Sequence, residues 1–113
     1  MNELNLLFCA TYGIIGLLMV ALSIPLLKGK IKKNLWYGVR IPKSFESEEN
    51  WMVINQYGAR RFIQFSLGFF LLSFFAAILP FSTMPWLLYA LPMVLIILVT
   101  IPIIDVILYA RKL

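Results

Sequence analysis

The chain has 113 residues, of which 62% are hydrophobic and only 13% are charged. A soluble domain of this length needs a largely polar surface, so the composition excludes an ordinary soluble globular protein. The sequence contains no His and a single Cys, which removes the commonest general base and any intramolecular disulfide. The class that fits this composition is an integral membrane protein of one domain.

Three blocks of sequence, about residues 4–27, 62–79 and 86–109, are apolar enough to cross a bilayer. A spanning helix needs about 20 mostly apolar residues, because the hydrocarbon core is about 30 Å thick. The first two blocks contain no charge, and the third contains only Asp105. Backbone groups in lipid must be paired internally, and no strand-like alternation of polarity is present. We therefore expect an all-α protein with three transmembrane helices.

Basic residues are unevenly distributed outside these blocks. The first connection, residues 28–61, contains eight Lys and Arg residues, whereas the second, residues 80–85, contains none. Arg111 and Lys112 lie at the C-terminal end. The positive-inside rule therefore predicts a multi-pass protein with its N-terminus outside, and with residues 28–61 and the C-terminus in the cytoplasm.

The predicted cytoplasmic loop begins with a basic run, residues 28–33. Lysines at this position are attracted to anionic headgroups, so the run is expected to lie against a bilayer that contains anionic lipids. Trp36 and Tyr37 follow it, and their amphipathic rings suit the membrane interface. The start of the loop is therefore predicted to lie at headgroup level.

A turn and a helix complete the structured loop. Gly38 permits a positive φ, and Pro42 biases the residue before it to an extended backbone, so we predict a turn followed by an extended arm. Either Ser44 or Ser47 can cap the amphipathic helix that follows. We expect this helix to begin at the membrane interface, and either to continue straight into the second span or to bend at Gly58.

Asp105 and Arg40 are the two charged residues whose positions require an explanation. A carboxylate inside a span is costly, so Asp105 is expected either to form an interhelical ion pair with Arg40, Arg60 or Arg61, or to act in transport or sensing. Arg40 either holds the turn by bonding loop carbonyls or Asp105, or binds an anion. Candidate anions are a lipid phosphate and a peptide carboxylate, which Arg contacts in a fixed fork.

The sequence contains no arrangement that is typical of an enzyme. No catalytic triad, paired metal-ligand motif or glycine-rich phosphate loop is present. Glu48 and Glu49 are adjacent, and on a helix their side chains point about 100° apart, so they do not form a catalytic carboxylate pair. We therefore expect no catalytic residue, no metal and no cofactor.

Residues 34–61 contain a pattern of an Asn, a Gly-Val-Arg-x-Pro turn, a Trp near the start of the next helix and an Asn one turn later. The residues of the pattern are Asn34, Gly38, Val39, Arg40, Pro42, Trp51 and Asn55. This pattern resembles that of the SdpI (SdpI/YfhL) family of bacterial membrane proteins, here in a short three-helix form.

The resemblance implies a bacterial plasma-membrane protein that confers immunity to a membrane-active toxin peptide or senses it. A toxin peptide or a cytoplasmic repressor is the implied partner, and no nucleic acid is expected. We predict a non-enzymatic site at the cytoplasmic interface, with Arg40 as electrostatic anchor, Asn34 and Asn55 as polar partners and Trp51 as an apolar wall. The predicted ligand-binding residues are Asn34, Tyr37, Gly38, Arg40, Pro42, Trp51, Asn55 and Asp105.

Two other functions fit the same sequence. A small transporter subunit would need a homo-oligomer, because three helices are too few for a pathway of their own, and would depend on Asp105. A lipid-binding membrane protein would use the basic run and Arg40. An enzyme that acts on lipid is disfavoured, because no nucleophile and base are visible together.

Overall fold

A computed structural model describes residues 2–113 as four α-helices, with no strand in that range. The helices are α1 (Glu3–Leu27), α2 (Pro42–Phe45), α3 (Glu48–Ala76) and α4 (Leu87–Ala110). The three long ones, α1, α3 and α4, are each long and apolar enough to cross a membrane. This confirms the predicted all-α fold with three candidate spans.

Side chains fix where α1 and α3 begin. Asn2 and Ser47 each accept a hydrogen bond from the backbone N–H three residues later, at 3.0 and 2.9 Å. These bonds satisfy N–H groups that have no partner within the helix. Of the two serines predicted as caps, Ser47 caps the long helix. Ser44 is the third residue of α2 and instead exchanges hydrogen bonds with the backbone of Ile41, at 2.7 and 3.1 Å, which closes the first turn of α2.

Helix α3 runs through Gly58 without interruption. Of the two predicted alternatives, the continuous helix is therefore correct, and the segment after Ser47 joins the second span directly. The helix ends at Ala76 rather than at residue 79 as predicted. Pro80 disfavours a helical backbone for the residue before it, and the chain turns there into the short connection to α4.

Helix α3 lies at the centre of the molecule. It packs against α1 and α4, whereas α1 and α4 share no extended contact with each other in the described chain. Asn5 of α1 bonds the carbonyl of Ala76 at the end of α3, and Val106 near the end of α4 packs against Ile54 near the start of α3. Each of the three long helices is therefore antiparallel to the next one along the chain. Residues 28–47 and the C-terminus lie together at one end, which we call the basic end.

Glycines allow α1 to approach α3 closely. A Cβ atom at Gly16 would lie 2.9 Å from the ring of Phe70, and one at Gly13 would lie 3.2 Å from Oγ of Ser73. Small residues at a helix interface let the two backbones approach closely in this way.

Candidate functional site

Asn34 shapes the first turn of the loop at the basic end. Its side-chain oxygen accepts hydrogen bonds from the N–H groups of Trp36 and Tyr37, at 2.8 and 2.7 Å. Its amide nitrogen donates to the carbonyls of Lys32 and Tyr37, at 2.8 and 3.1 Å. Asparagine favours turns because its short amide can bond nearby backbone groups in this way. Both donors and the acceptor of Asn34 are therefore used within the loop.

Gly38 lies against the first turns of α3. Its φ is 114°, which confirms the predicted positive φ. A Cβ atom there would lie 2.6 Å from Oδ1 of Asn55 and 3.1 Å from the ring of Trp51. Both the backbone conformation and the space therefore require glycine at this position.

Asn55 anchors the loop to α3. Its side-chain oxygen accepts a hydrogen bond from the N–H of Val39 at 2.6 Å, and its amide nitrogen donates to the carbonyl of Trp51 at 2.9 Å. The residue is only 1% exposed. A buried N–H group that loses its partner costs about 1–3 kcal/mol, so Asn55 is a strong constraint on the position of Val39.

Trp51 and Tyr37 tie the same loop to its surroundings. The Trp51 side chain is 1% exposed, and its indole N–H donates to the carbonyl of Ile31 at 2.9 Å. Trp51 is therefore buried, and its one polar group is bonded to the loop backbone. The hydroxyl of Tyr37 donates to the carbonyl of Leu22 on α1. The loop is therefore attached to both α1 and α3 by hydrogen bonds.

Arg40 extends from this fixed loop as an exposed side chain. Its Nη1 group donates to the carbonyl of Leu35 at 2.9 Å. No carboxylate among residues 2–113 pairs with it, since the two ion pairs in that range are Lys43–Glu46 and Arg61–Asp105. A guanidinium has five N–H donors, so most of those on Arg40 are available to a ligand.

A groove of about 630 Å³ lies beside Arg40. Helix α1 forms one wall, α4 forms the other, α3 forms the floor, and residues 36–41 form the roof at the basic end. Its volume falls within the range of about 300–1,000 Å³ that is usual for small-molecule sites. The lining is mostly apolar and includes Leu22, Leu26, Phe62, Ile103 and Ile107. Arg40 is the only charged residue among those that line it.

The structure brings some of the predicted site residues to this groove and not others. Tyr37, Gly38 and Arg40 line it. Pro42 lies beside a separate, smaller cavity near the C-terminal end of α4. The other predicted residues, Asn34, Trp51, Asn55 and Asp105, are not among the lining residues. The first three of these hold the roof in place, because their polar groups bond the backbone of the loop and of its neighbours.

Asp105 belongs to a different cluster, between α3 and α4. One of its carboxylate oxygens accepts a hydrogen bond from Tyr57 at 2.9 Å, and the other is paired with Arg61. The ring of Tyr57 stacks on that of Tyr109, with centroids 3.9 Å apart and planes 4° from parallel. The predicted interhelical ion pair is therefore confirmed. Of the three arginines that were considered, Arg61 is the partner of Asp105.

Sequence reasoning missed Tyr57 and Tyr109. Tyr57 precedes Arg61 by four residues on α3, and Tyr109 follows Asp105 by four residues on α4. Residues four apart lie on the same face of a helix, so this matched spacing was a signal that could have identified the cluster.

Comparison with known proteins identifies one family. A model described as the SdpI/YfhL protein family matches residues 30–104, which include the loop at the basic end, all of α3 and most of α4. No curated protein matches the chain. No solved structure matches it either.

Proposed function

This chain belongs to the SdpI/YfhL protein family, and we propose that it protects a bacterial cell from a membrane-active toxin peptide, or senses that peptide. The three candidate spans agree with a multi-pass protein of the plasma membrane. In the proposed orientation, the basic end faces the cytoplasm and the N-terminus lies outside. The high content of Lys and Arg at the basic end supports that orientation.

The observation that carries the proposal is the combination of an apolar groove with one available guanidinium at its roof. A membrane-active peptide has an apolar segment, which would lie between α1 and α4 along Leu22 and Ile103. An acidic group of the peptide, such as its C-terminal carboxylate, would bind Arg40. Charge-assisted hydrogen bonds of this kind are shorter and about twice as strong as neutral ones.

The other motif residues would act by positioning Arg40. Asn55 fixes Val39, the residue directly before it, and the carbonyl of Leu35 holds one edge of the guanidinium. A side chain held in this way loses less conformational freedom when it binds. Binding alone is sufficient for this role, so the proposal includes no catalytic step.

The function is tested by challenging cells that express the chain with membrane-active peptides, beginning with any secreted peptide encoded beside its gene. The variants are Arg40→Ala and, as a matched control for charge, Arg60→Ala. Arg60 is exposed on α3 and is not among the residues that line the groove. Membrane abundance is measured in parallel for every variant.

We expect the wild type and Arg60→Ala to protect the cells and Arg40→Ala to fail at normal abundance. Loss of protection in proportion to abundance would show that Arg40 acts only in folding. Survival that is equal with and without the wild-type chain, for every peptide that kills the parent cells, would contradict the proposed function.

A further inference from the structure

The groove is open on the side where α1 and α4 diverge. Each of these helices packs on α3, and α1 and α4 share no extended backbone contact in the described chain. Leu22 on one wall is 53% exposed and Ile103 on the other is 44% exposed. In a bilayer, exposed apolar side chains at this position face acyl chains, so the groove opens towards the lipid.

The roof of the groove has the features of a segment that lies among headgroups. Trp36 in the roof is 86% exposed and lines the groove, and Leu35 directly before the roof is 70% exposed. Aromatic and apolar side chains at such a position favour the interface between headgroups and acyl chains. The lysines of residues 28–33 are all exposed beside the roof and attract anionic headgroups. In a bilayer, a roof of this kind would place Arg40 at the depth of lipid phosphates.

From this geometry we infer that, when no peptide is present, the groove binds one anionic phospholipid. One acyl chain lies between α1 and α4, and the phosphate accepts hydrogen bonds from the guanidinium of Arg40. Arginine suits this role because its planar fork matches two phosphate oxygens at once. This lipid site does not depend on the proposed protective function, since it is occupied in a membrane that contains no toxin.

A phospholipid fits the groove better than a free anion or a neutral lipid does. A free phosphate would gain nothing from the apolar walls, which form most of the lining. A zwitterionic lipid carries a cationic group next to its phosphate, which the lysines of residues 28–33 repel. The site is therefore predicted to prefer an anionic headgroup on an intact diacyl lipid.

The test is a lipid titration of the purified full chain, followed by native mass spectrometry. The probes are phosphatidylglycerol and phosphatidylcholine with identical acyl chains, and glycerol phosphate as a competitor without acyl chains. We expect phosphatidylglycerol to bind about tenfold more tightly than phosphatidylcholine, because both present a phosphate to Arg40 but only the choline group is repelled by the lysines of residues 28–33. Arg40→Ala should weaken the binding of both lipids about tenfold, because it removes the charge-assisted contact to the phosphate that they share, and Arg60→Ala should bind both as the wild type does.

A second pair of variants tests the acyl-chain path. Ile103→Trp fills the groove from an exposed position, whereas Ile104→Trp adds the same bulk at a residue that is 50% exposed and does not line the groove. Ile103→Trp should weaken the binding of both lipids, and Ile104→Trp should leave it unchanged. If Ile103→Trp proves unstable, Leu22→Trp makes the same test from the opposite wall.

Three results would overturn the inference. They are equal binding of the two lipids by the wild type, equal losses in Arg40→Ala and Arg60→Ala, and displacement of phosphatidylglycerol by glycerol phosphate. The last would indicate a free-anion site. The titration contains no peptide, so a negative result in it would not contradict the proposed protective function. Likewise, a negative result in the protection assay would not contradict the lipid site.

Discussion

At each end of the bundle, a buried asparagine forms hydrogen bonds with a connecting segment. The two connections nevertheless differ in where they place their side chains. At the end opposite the basic one, Asn5 donates to two carbonyls where α3 ends, at 2.7 and 2.8 Å. Phe81 in the connection is then buried against Phe8, with ring centroids 5.3 Å apart. At the basic end, Asn55 instead accepts from the loop N–H of Val39.

The difference lies in what each connection does with its side chains. The short connection places an aromatic ring in the core and thereby closes that end of the bundle. The loop at the basic end is also held by hydrogen bonds, yet it forms a roof over the groove and leaves Arg40 exposed. A rigid backbone that leaves a charged side chain without an ionic partner in residues 2–113 is the arrangement expected of a binding element.

The largest expected difference between the two ends is the side of the membrane on which each end lies. In a Cys9→Ser background, Ser82→Cys marks the short connection and Glu49→Cys marks the start of α3 at the basic end. Both positions are exposed, and neither change removes a basic residue. A membrane-impermeant thiol reagent should label position 82 in intact cells and position 49 only after permeabilisation. The reverse pattern would contradict the predicted orientation.

The next effect concerns the two asparagines. Asn5→Ala and Asn55→Ala each leave buried backbone groups without a partner, so each should lower the free energy of unfolding by about 1–3 kcal/mol. Thermal unfolding in one detergent compares them. Asn55→Ala should also lower protection per molecule in the membrane, because it releases Val39 beside Arg40, whereas Asn5→Ala should not. Equal functional losses in the two variants would remove the distinction between the ends.

A smaller effect is expected at the cluster of Asp105. Removing Arg61 or Asp105 alone leaves the other charge poorly solvated, so the double variant should recover part of the loss. We expect a coupling energy of about 1 kcal/mol from a double-mutant cycle of Arg61→Ala and Asp105→Ala. The same cycle with Arg60→Ala is the control and should be additive. Additivity in both cycles would contradict the ion pair.

The sequence was sufficient to predict the parts of the fold that depend on local pattern. Hydropathy located the three spans, because each is a long block that contains at most one charge. Gly38 correctly indicated a positive φ at its own position. Pro42 correctly indicated an extended backbone at Ile41, the residue before it. Helix α2 was missed, although proline at its first position is a known helix start, because a four-residue helix has almost no periodic signal.

The groove could not be predicted, because it exists only where α1 and α4 diverge across α3. Nothing in either helix alone indicates that their halves nearest the basic end stand apart. For the same reason, the sequence could not decide whether the amides of Asn34 and Asn55 face a ligand or the loop. Their bonding depends on the path of the backbone around them, and the structure directs both amides to backbone groups. The choice of Arg61 over Arg60 as the partner of Asp105 likewise required the register of α3 against α4.

The most direct test of the account replaces Arg40 with lysine. Arg40→Lys keeps the positive charge but loses the planar fork, so an anion bound by two parallel hydrogen bonds should be held poorly. Arg60→Lys is the matched control. We predict that Arg40→Lys inserts at normal abundance and loses most of its protection against the peptide, whereas Arg60→Lys keeps it. Full protection by Arg40→Lys would show that a positive charge alone is sufficient and would contradict the role of Arg40 as a bidentate anchor.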